Sequence, residues 1–460
     1  MLVYTTWTSR MVILIFSWVG LISCAQRPLK PIIPPETPME FNNAIRALTN
    51  DLLRQVENEQ VKNKDDSTKK NLVIKPFAKT DTGYTINPSK GKREGDKEIE
   101  PAGPNMIELI LSEVKESKTC QDERCSDKVC QSEETIPFSS NNKVCPQNAY
   151  KKRFANFSIT PLSRESLKTA NYVMDGRICL EPLEGNRYYR INAFIFDLQT
   201  RQRIATSKVL IEDKELYELP TKAYLDAPVY LPSDQFECHT PPLEIGSEVL
   251  NVDAIVEDAS NAYGKREYEK ALQLYQQARD SRGGERQDVY MGLYTTLFEL
   301  ERKAEAEEML GRIVAIGVAE KDLSFKFLFK VNSLEFGSAK PGEPEDPQTL
   351  KWIEQFPMWL RQIGKYFNEH NDCLEIIGYA SKTGDQEYNR NLSLGRAIRI
   401  KTKLKAKFKN IKVSSTIGKG YDECLMNPPP PGKRDCRGLD DERDAYDRRV
   451  EFKIIECASL

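Results

Sequence analysis

The side chains best suited to chemistry in this sequence are its cysteines. The chain of 460 residues has 11 cysteines but only two histidines, His239 and His370. Cys120, Cys125 and Cys130 recur every five residues, which is not the Cys-x-x-Cys spacing that holds a zinc ion. The sequence also lacks a Gly-x-Ser-x-Gly elbow, a His-Glu-x-x-His helix and a phosphate-binding loop. We therefore expect no metal site, no cofactor and no enzymatic activity.

The first 24 residues have the form of a secretory signal. Arg10 precedes an apolar run that is too short to span a membrane stably. Its ending, Leu21-Ile22-Ser23-Cys24, resembles a bacterial lipobox, which implies that Cys24 is lipidated and becomes the mature N-terminus. An uncleaved anchor, or an ordinary signal with a chance cysteine, is the alternative. Because Ala25 replaces the aspartate that retains lipoproteins in the inner membrane, the resemblance implies a lipid anchor in the outer membrane, facing the periplasm.

The rest of the composition fits a secreted globular chain of several domains. Setting Cys24 aside leaves ten cysteines, an even number that suits disulfides in an oxidising periplasm. Residues 25–38 are rich in proline and are expected to form an extended, semi-rigid tether. The net charge is -2, and no basic stripe with interleaved aromatic residues is present, so we expect no nucleic-acid partner.

Residues 39–242 show helix and strand patterns in turn. The expected elements are a helix at 41–53, a strand at 71–77, a helix at 106–111, a strand at 172–178 and a strand pair at 187–197 and 203–211. This order predicts an α/β layer with helices over a sheet. The stretches 73–77, 170–176 and 189–197 resemble the periplasmic α/β domain shared by CsgG and the LpoB activators of penicillin-binding proteins. The resemblance implies a periplasmic binding module, with residues 120–145 as a disulfide-tied insertion.

Residues 243–323 are predicted to be helical and repetitive. Ala271 and Ala278 bracket Tyr275 in a pattern that resembles the second half of a tetratricopeptide repeat. In a second copy, Gly292 precedes Ala304 by the interval of the motif, although Glu308 then stands at the aromatic position. The alternative is a plain helical hairpin between two domains.

The end of the chain carries three short blocks in a fixed order. They are Gly378-Tyr379, then Tyr388-Asn389-x-x-Leu392-Ser393-x-x-Arg396-Ala397, then Arg448-Arg449-Val450-Glu451. In this order and spacing they resemble the OmpA-like peptidoglycan-binding domain over residues 325–456. The resemblance implies a βαβαββ fold beside the cell wall. The whole chain is therefore expected to be a multidomain protein, with α/β domains at both ends and a helical segment between them.

The resemblance also implies a binding site for the peptidoglycan stem peptide. In the family, an aspartate and an arginine bind the ammonium and the carboxylate of diaminopimelate. The arginine is present as Arg396, but Ser381 replaces the aspartate, which is expected to weaken binding by about ten- to a hundredfold. Asn389 and Arg449 match further pocket positions, whereas Asp447 stands where many members have asparagine.

Two pairs of cysteines in this part of the chain are candidates for disulfides. Cys424 and Cys436 flank a proline-rich loop, whose closure would stabilise the fold by roughly 2–4 kcal/mol, and some OmpA-like domains carry a disulfide there. We predict that these two cysteines are bonded. Cys373, at the start of one expected strand, and Cys457, after the last, form a second possible pair.

Six lysines lie between residues 401 and 412. They are Lys401, Lys403, Lys405, Lys407, Lys409 and Lys412. Alternate lysines on a helix point to more than one face, which favours a solvated surface over a patch facing wall polymer or lipid phosphate.

These expectations lead to two functional hypotheses. The first is an outer-membrane lipoprotein that links the membrane to peptidoglycan, with upstream modules for envelope protein partners. The alternative is an envelope interaction scaffold whose OmpA-like domain has lost strong peptidoglycan binding. Ser381 favours the alternative, and Arg396 favours the first.

Overall fold

The computed structural model shows a mixed α/β protein built from several packed modules, as the sequence predicts. It describes residues 37–62, 70–79, 85–88, 106–119, 154, 157–183, 186–212, 216–219, 221–230, 243–321, 323–340, 342–382, 384–422 and 444–457. In this part of the chain, no helix is long and apolar enough to cross a membrane. The predictions for Cys24, Cys424, Cys436 and the insertion at 120–145 lie outside the described residues, as does most of the tether.

The N-terminal module is a sheet whose one face is covered by two long helices. Its strands are β1 Lys70–Ile74, β2 Ala78–Lys79, β3 Thr85–Pro88, β4 Phe157–Pro161, β5 Tyr172–Leu183, β6 Asn186–Asp197, β7 Arg203–Glu212 and β8 Leu216–Leu219. Its helices are α1 Phe41–Lys62, α2 Met106–Thr119, α3 Arg164–Lys168 and α4 Lys222–Asp226. The main sheet has the order β4-β1-β5-β6-β7, with β2 beside β5, and β3 pairs with β8 separately. The predicted helix, strands and strand pair are all present.

Apolar spacing explains why α1 covers this sheet. Ile45, Leu48 and Leu52 lie on one side of the helix and are completely buried, whereas Asn42 on the opposite side is exposed. Together with α2, this side of α1 shares one core with the sheet. Both elements therefore protect the same face of the sheet from solvent.

Four helices follow, each packed against the next. They are α5 Ser247–Gly264, α6 Tyr268–Asp280, α7 Gln287–Glu299 and α8 Lys303–Ala319. Only glycine fits at position 292, because a Cβ there would lie 2.1 Å from the ring of Tyr275. In the second repeat copy, the motif places its small packing residue at Ala304. This register is wrong, because Ala304 lies in the first turn of α8 and is exposed. Ala306 is buried in its place.

The C-terminal module is a second sheet with two long helices. Its elements are β9 Leu323–Leu328, α9 Pro347–Glu369, β10 Cys373–Gly378, α10 Gln386–Lys407, β11 Lys412–Gly418, α11 Asp444–Asp447 and β12 Arg449–Ile455. The strand order is β11-β10-β12-β9, with β10 parallel to β11 and the other pairs antiparallel. Apart from the single turn α11, the element order is the predicted one. A disulfide joins Cys373 to Cys457, the second of the two possible pairs.

The N-terminal interface, as we call the contact of the first sheet with α5, combines apolar and ionic contacts. Leu250 and Ala254 of α5 share a small core with Val173 and Phe194 on the sheet face that α1 leaves open. Beside this core, Lys75 Nζ lies 2.8 Å from Asp253 Oδ2 on α5 and 3.3 Å from Asp175 Oδ2 on β5.

The C-terminal interface, between residues 221–230 and the C-terminal module, is closed by backbone hydrogen bonds. Lys326 N donates to Pro228 O at 2.9 Å, and Tyr230 N donates to Ser324 O at 3.1 Å. Residues 228–230 therefore continue the second sheet beyond β9. The same core joins α4, the four helices and the C-terminal module.

Candidate binding site around Arg396

Two glycines bring α10 unusually close to the second sheet. A Cβ on Gly378 would lie 1.9 Å from Ser393 O, and a Cβ on Gly418 would lie 2.3 Å from Arg390 O. Any other residue at these positions would push the helix away. The close contact sets the depth at which the next turn of α10, with Arg396, enters the module.

Arg396 is completely buried, and every nitrogen of its guanidinium donates to a backbone carbonyl. The side chain has 0% of its surface exposed. Its Nη1 donates to Tyr379 O at 2.9 Å, its Nε to Ser333 O at 3.1 Å and its Nη2 to Lys330 O at 3.0 Å. The last two carbonyls belong to the 330–336 loop, which connects β9 to α9. The loop therefore lies over the arginine.

The charge of Arg396 is stabilised by carbonyl dipoles rather than by a carboxylate. Burial, and to a smaller extent the neighbouring charge of Arg448, lowers the pKa of Arg396 to about 9. The guanidinium carbon also lies 5.4 Å from the ring centroid of Phe329. A buried cation held in this way supports the loop, because each lost carbonyl contact would leave an unsatisfied charge.

Two other arginines of this chain hold a carboxylate in a bidentate pair through the Nε–Nη2 edge of the guanidinium. Arg361 donates from Nε to Glu307 Oε1 at 2.5 Å and from Nη2 to Glu307 Oε2 at 2.7 Å. Arg302 holds Glu305 through the same two nitrogens. In Arg396 the carbonyls of Lys330 and Ser333 occupy this edge. The loop thus fills the position in which a ligand carboxylate would form a bidentate pair.

The other residues predicted for the site lie nearby but are also buried. Ser381 is 5% exposed and Asn389 is 1% exposed. Arg449 lies with its guanidinium carbon 4.1 Å from the ring centroid of Tyr379, and its Nε donates to Glu451 Oε1 at 2.6 Å. Burial acts to lower the pKa of Arg449, but the carboxylates of Glu451 and Asp447 raise it overall. Arg449 is thus paired with carboxylates of its own module.

Arg448 is a second arginine that supports the same region, and the sequence interpretation overlooked it. Its Nε donates to Phe329 O at 2.9 Å and its Nη2 to Ser338 O at 2.6 Å. These carbonyls flank the 330–336 loop. The sequence shows two adjacent arginines, Arg448 and Arg449, but the resemblance assigned a role only to Arg449.

The 330–336 loop is also held by aromatic packing. The ring of Phe336 lies 5.1 Å from that of Phe329 and 4.9 Å from that of Phe356 on α9. Glu345 Oε1 accepts hydrogen bonds from the backbone N–H groups of Ser338 and Ala339, just beyond the loop. The loop is therefore anchored on both sides of its tip.

A separate groove of about 610 Å³ lies between α3 and the first helices of the four-helix segment. Arg164 crosses it, with Nε 2.8 Å from Asp258 Oδ2 and Nη1 2.9 Å from Gln277 Oε1. Lys168 and Glu165 pair with each other on its rim. The charged groups of the groove are thus already matched. Among the described residues, no group of three acidic, histidine or cysteine side chains could hold a metal ion.

Comparisons with known proteins assign no family to the chain. No family model matches it, and no curated protein matches it at a significant level.

Proposed function

We propose that this protein is a lipid-anchored, non-enzymatic scaffold of the bacterial envelope. In this proposal its C-terminal module is an OmpA-like domain that has lost strong binding to the peptidoglycan stem peptide. The observation that carries the proposal is the environment of Arg396, whose carboxylate-binding edge is filled by carbonyls of the chain itself. Ser381 adds to it, because a buried hydroxyl supplies no charge for a ligand ammonium.

The observed cysteines support an envelope location. The Cys373–Cys457 bond closes a stretch with a sequence separation of 84 residues, and Cys179 is disulfide-bonded as well. Structural disulfides form and persist in oxidising compartments such as the periplasm. This chemistry agrees with the signal and the lipidation at Cys24 inferred from the sequence.

In a scaffold, the upstream modules carry the function. The four-helix segment is joined to the modules on both sides through shared cores, so its outer surface is presented in a fixed orientation. Helical arrays of this kind typically bind protein partners along such a surface. We infer that the partners are other envelope proteins.

Sedimentation with isolated peptidoglycan tests the proposal. We expect the purified full chain to remain in the supernatant, and we expect the Ser381→Asp variant to bind no better, because the 330–336 loop still covers Arg396. Ser381→Ala is the control for the substitution itself, and circular dichroism checks that each variant is folded.

The opposite outcome would support the membrane-to-wall tether. If the wild type sediments with peptidoglycan, and Arg396→Lys removes this binding while the module stays folded, then Arg396 does contact the wall. The scaffold proposal would then be withdrawn.

A further inference from the structure

One side of α10 carries three cations in line. Arg399, Lys403 and Lys407 are spaced four residues apart, so they lie above one another on the same face of the helix. At a rise of about 1.5 Å per residue, the line is roughly 12 Å long. Lys403 follows Arg396 by seven residues, or two helical turns, so the line continues along the side of α10 that the 330–336 loop covers at Arg396, and Lys403 and Lys407 are exposed.

Two of these cations share one aromatic ring. The guanidinium carbon of Arg399 lies 5.6 Å from the ring centroid of Phe336, and Lys403 Nζ lies 5.8 Å from it. Among the described residues, Arg399 Nε is buried without a hydrogen-bond acceptor. Because that nitrogen is closed to solvent, an outside partner would meet the line through Lys403 and Lys407, which are exposed.

Several cations on other helices are matched by acids. Lys168 Nζ lies 2.8 Å from Glu165 Oε2, Lys270 Nζ lies 2.8 Å from Glu267 Oε2, and Lys303 Nζ lies 3.3 Å from Glu354 Oε1. Within the described ranges, the line on α10 has no such acid. Like charges four residues apart repel one another, so an anionic partner would relieve the repulsion along the line.

Further lysines extend the basic surface around the end of α10. Lys405 and Lys409 are exposed, and neither has an ion pair with a described residue. One aliphatic side chain lies beside the line, because Leu334 of the 330–336 loop is 39% exposed. Leu334 sits over Gly395, one turn before Arg399. Basic residues beside exposed aliphatic ones are the pattern of a membrane-surface helix.

We propose that the face of Arg399, Lys403 and Lys407 binds the phosphate groups of an anionic phospholipid surface. A line of cations about 12 Å long on an exposed helix fits several headgroups in a plane better than one small ion in a pocket. This inference rests on the proposed function, because a lipid anchor at Cys24 would keep the module close to a membrane. It adds a second membrane contact to that anchor.

Vesicle co-sedimentation of the full chain tests this site. Pure phosphatidylcholine vesicles measure the background from the apolar N-terminal segment, and vesicles that also contain phosphatidylglycerol measure the specific binding. We expect tighter binding to the anionic vesicles, and we expect salt to weaken it. The Arg399→Gln, Lys403→Gln, Lys407→Gln triple variant should lose about a hundredfold of this increment, since each basic residue near such a surface contributes roughly fivefold.

The matched control is the Lys168→Gln, Lys270→Gln, Lys303→Gln variant. It changes the net charge by the same amount at cations that already have acidic partners, so its binding should stay close to that of wild type. Equal losses in the two variants would show a general charge effect and overturn the site. Competition by inorganic phosphate without any preference for anionic vesicles would show a small-anion site instead.

This outcome is independent of the wall experiment. Failure of vesicle binding leaves the scaffold proposal intact, whereas peptidoglycan binding through Arg396 would refute the scaffold but not the membrane contact.

Discussion

Two buried lysines hold the two interfaces of the molecule, and their surroundings are opposite. At the N-terminal interface, Lys75 lies between the carboxylates of Asp253 and Asp175. At the C-terminal interface, Lys326 Nζ donates to Tyr224 O at 2.7 Å and lies 5.3 Å and 5.2 Å from the ring centroids of Tyr230 and Trp352. One lysine has full counter-charges, and the other has a carbonyl and two aromatic faces.

The pKa values show what these surroundings do. Burial alone would lower the pKa of Lys75, but Asp175 and Asp253 overcome it and raise the pKa above its ordinary value. Burial lowers the pKa of Lys326 to about 7, with only a smaller opposing effect from Asp226. Lys326 is fully buried and Lys75 is mostly buried, with 17% of its side chain exposed, so the partner decides the charge in both cases. The N-terminal interface is ionic over the whole neutral range, whereas the C-terminal interface titrates within it.

The largest expected effect comes from removing the shared carboxylate of the ionic interface. Asp253 also accepts from Arg286 Nη1 at 2.7 Å, so Asp253→Ala removes the common partner of two largely buried cations, which keep only Asp175 and Asp288 respectively. We expect a loss of roughly 3–5 kcal/mol in the free energy of unfolding, measured with urea.

The control for this variant lies on the same helix. Asp258 pairs with Arg164 across the groove, with side chains 24% and 40% exposed, and Asp258→Ala should cost less than about 1 kcal/mol. If the two variants lose similar amounts of free energy of unfolding, then burial does not decide how much each ion pair contributes.

The next largest effect concerns the C-terminal interface, where Lys326 titrates. The folded pKa of Lys326 is depressed from 10.5 to about 7, so the unfolded chain binds more protons between these values and the stability rises with pH. We expect this group to contribute roughly 2–4 kcal/mol between pH 7 and 10. In Lys326→Met, the urea-unfolding free energy should lack this rise.

Lys453→Met, on an exposed position of β12, is the control and should keep the rise. A Lys326→Met profile parallel to that of wild type would mean that Lys326 stays charged and that its carbonyl partner is sufficient.

The smallest expected effect concerns the N-terminal interface, where the stability falls as the pH rises. Burial, and to a smaller extent the charge of Asp253, raises the pKa of Glu257 on α5 from 4.5 to about 7. Because the folded pKa is raised, the stability from this group is complete below pH 4.5 and is lost as the pH rises through 7. As the pH rises from 5 to 7, the free energy of unfolding of Glu257→Gln, measured with urea, should therefore increase by roughly 1–3 kcal/mol relative to that of wild type. A constant difference across this range would exclude titration of Glu257.

Periodicity was sufficient to predict most of the long elements. The apolar spacing of α1 and the alternation in β5 to β7 follow from contacts within each element, so they are visible in one stretch of sequence. The short strand β4 was not predicted, because it exists through pairing with β1, where Phe157 lies opposite Lys70. The register of α8 was misplaced for a related reason. The contact with α7, and not the motif spacing, decides that Ala306 is buried.

The sequence was sufficient to locate the candidate site but not to predict its contacts. The motif identifies Arg396, yet the carbonyls that it binds come from the 330–336 loop, which has no apolar period and no motif. Lys326 was not predicted either, because its partners come from two distant stretches of the chain, residues 221–230 and α9. A side chain that is held by distant backbone atoms leaves no local pattern.

The strand formed by residues 228–230 has a consequence for how the protein can be divided. It hydrogen-bonds to β9 from the side opposite β12, so a fragment starting at residue 325 would lack both the rest of β9 and its neighbour. Such a fragment would expose open backbone groups that invite pairing between copies, and it would uncover Lys326. The smallest unit able to fold alone therefore begins before Thr221 and includes all four helices. Evolution could exchange the C-terminal module only together with them.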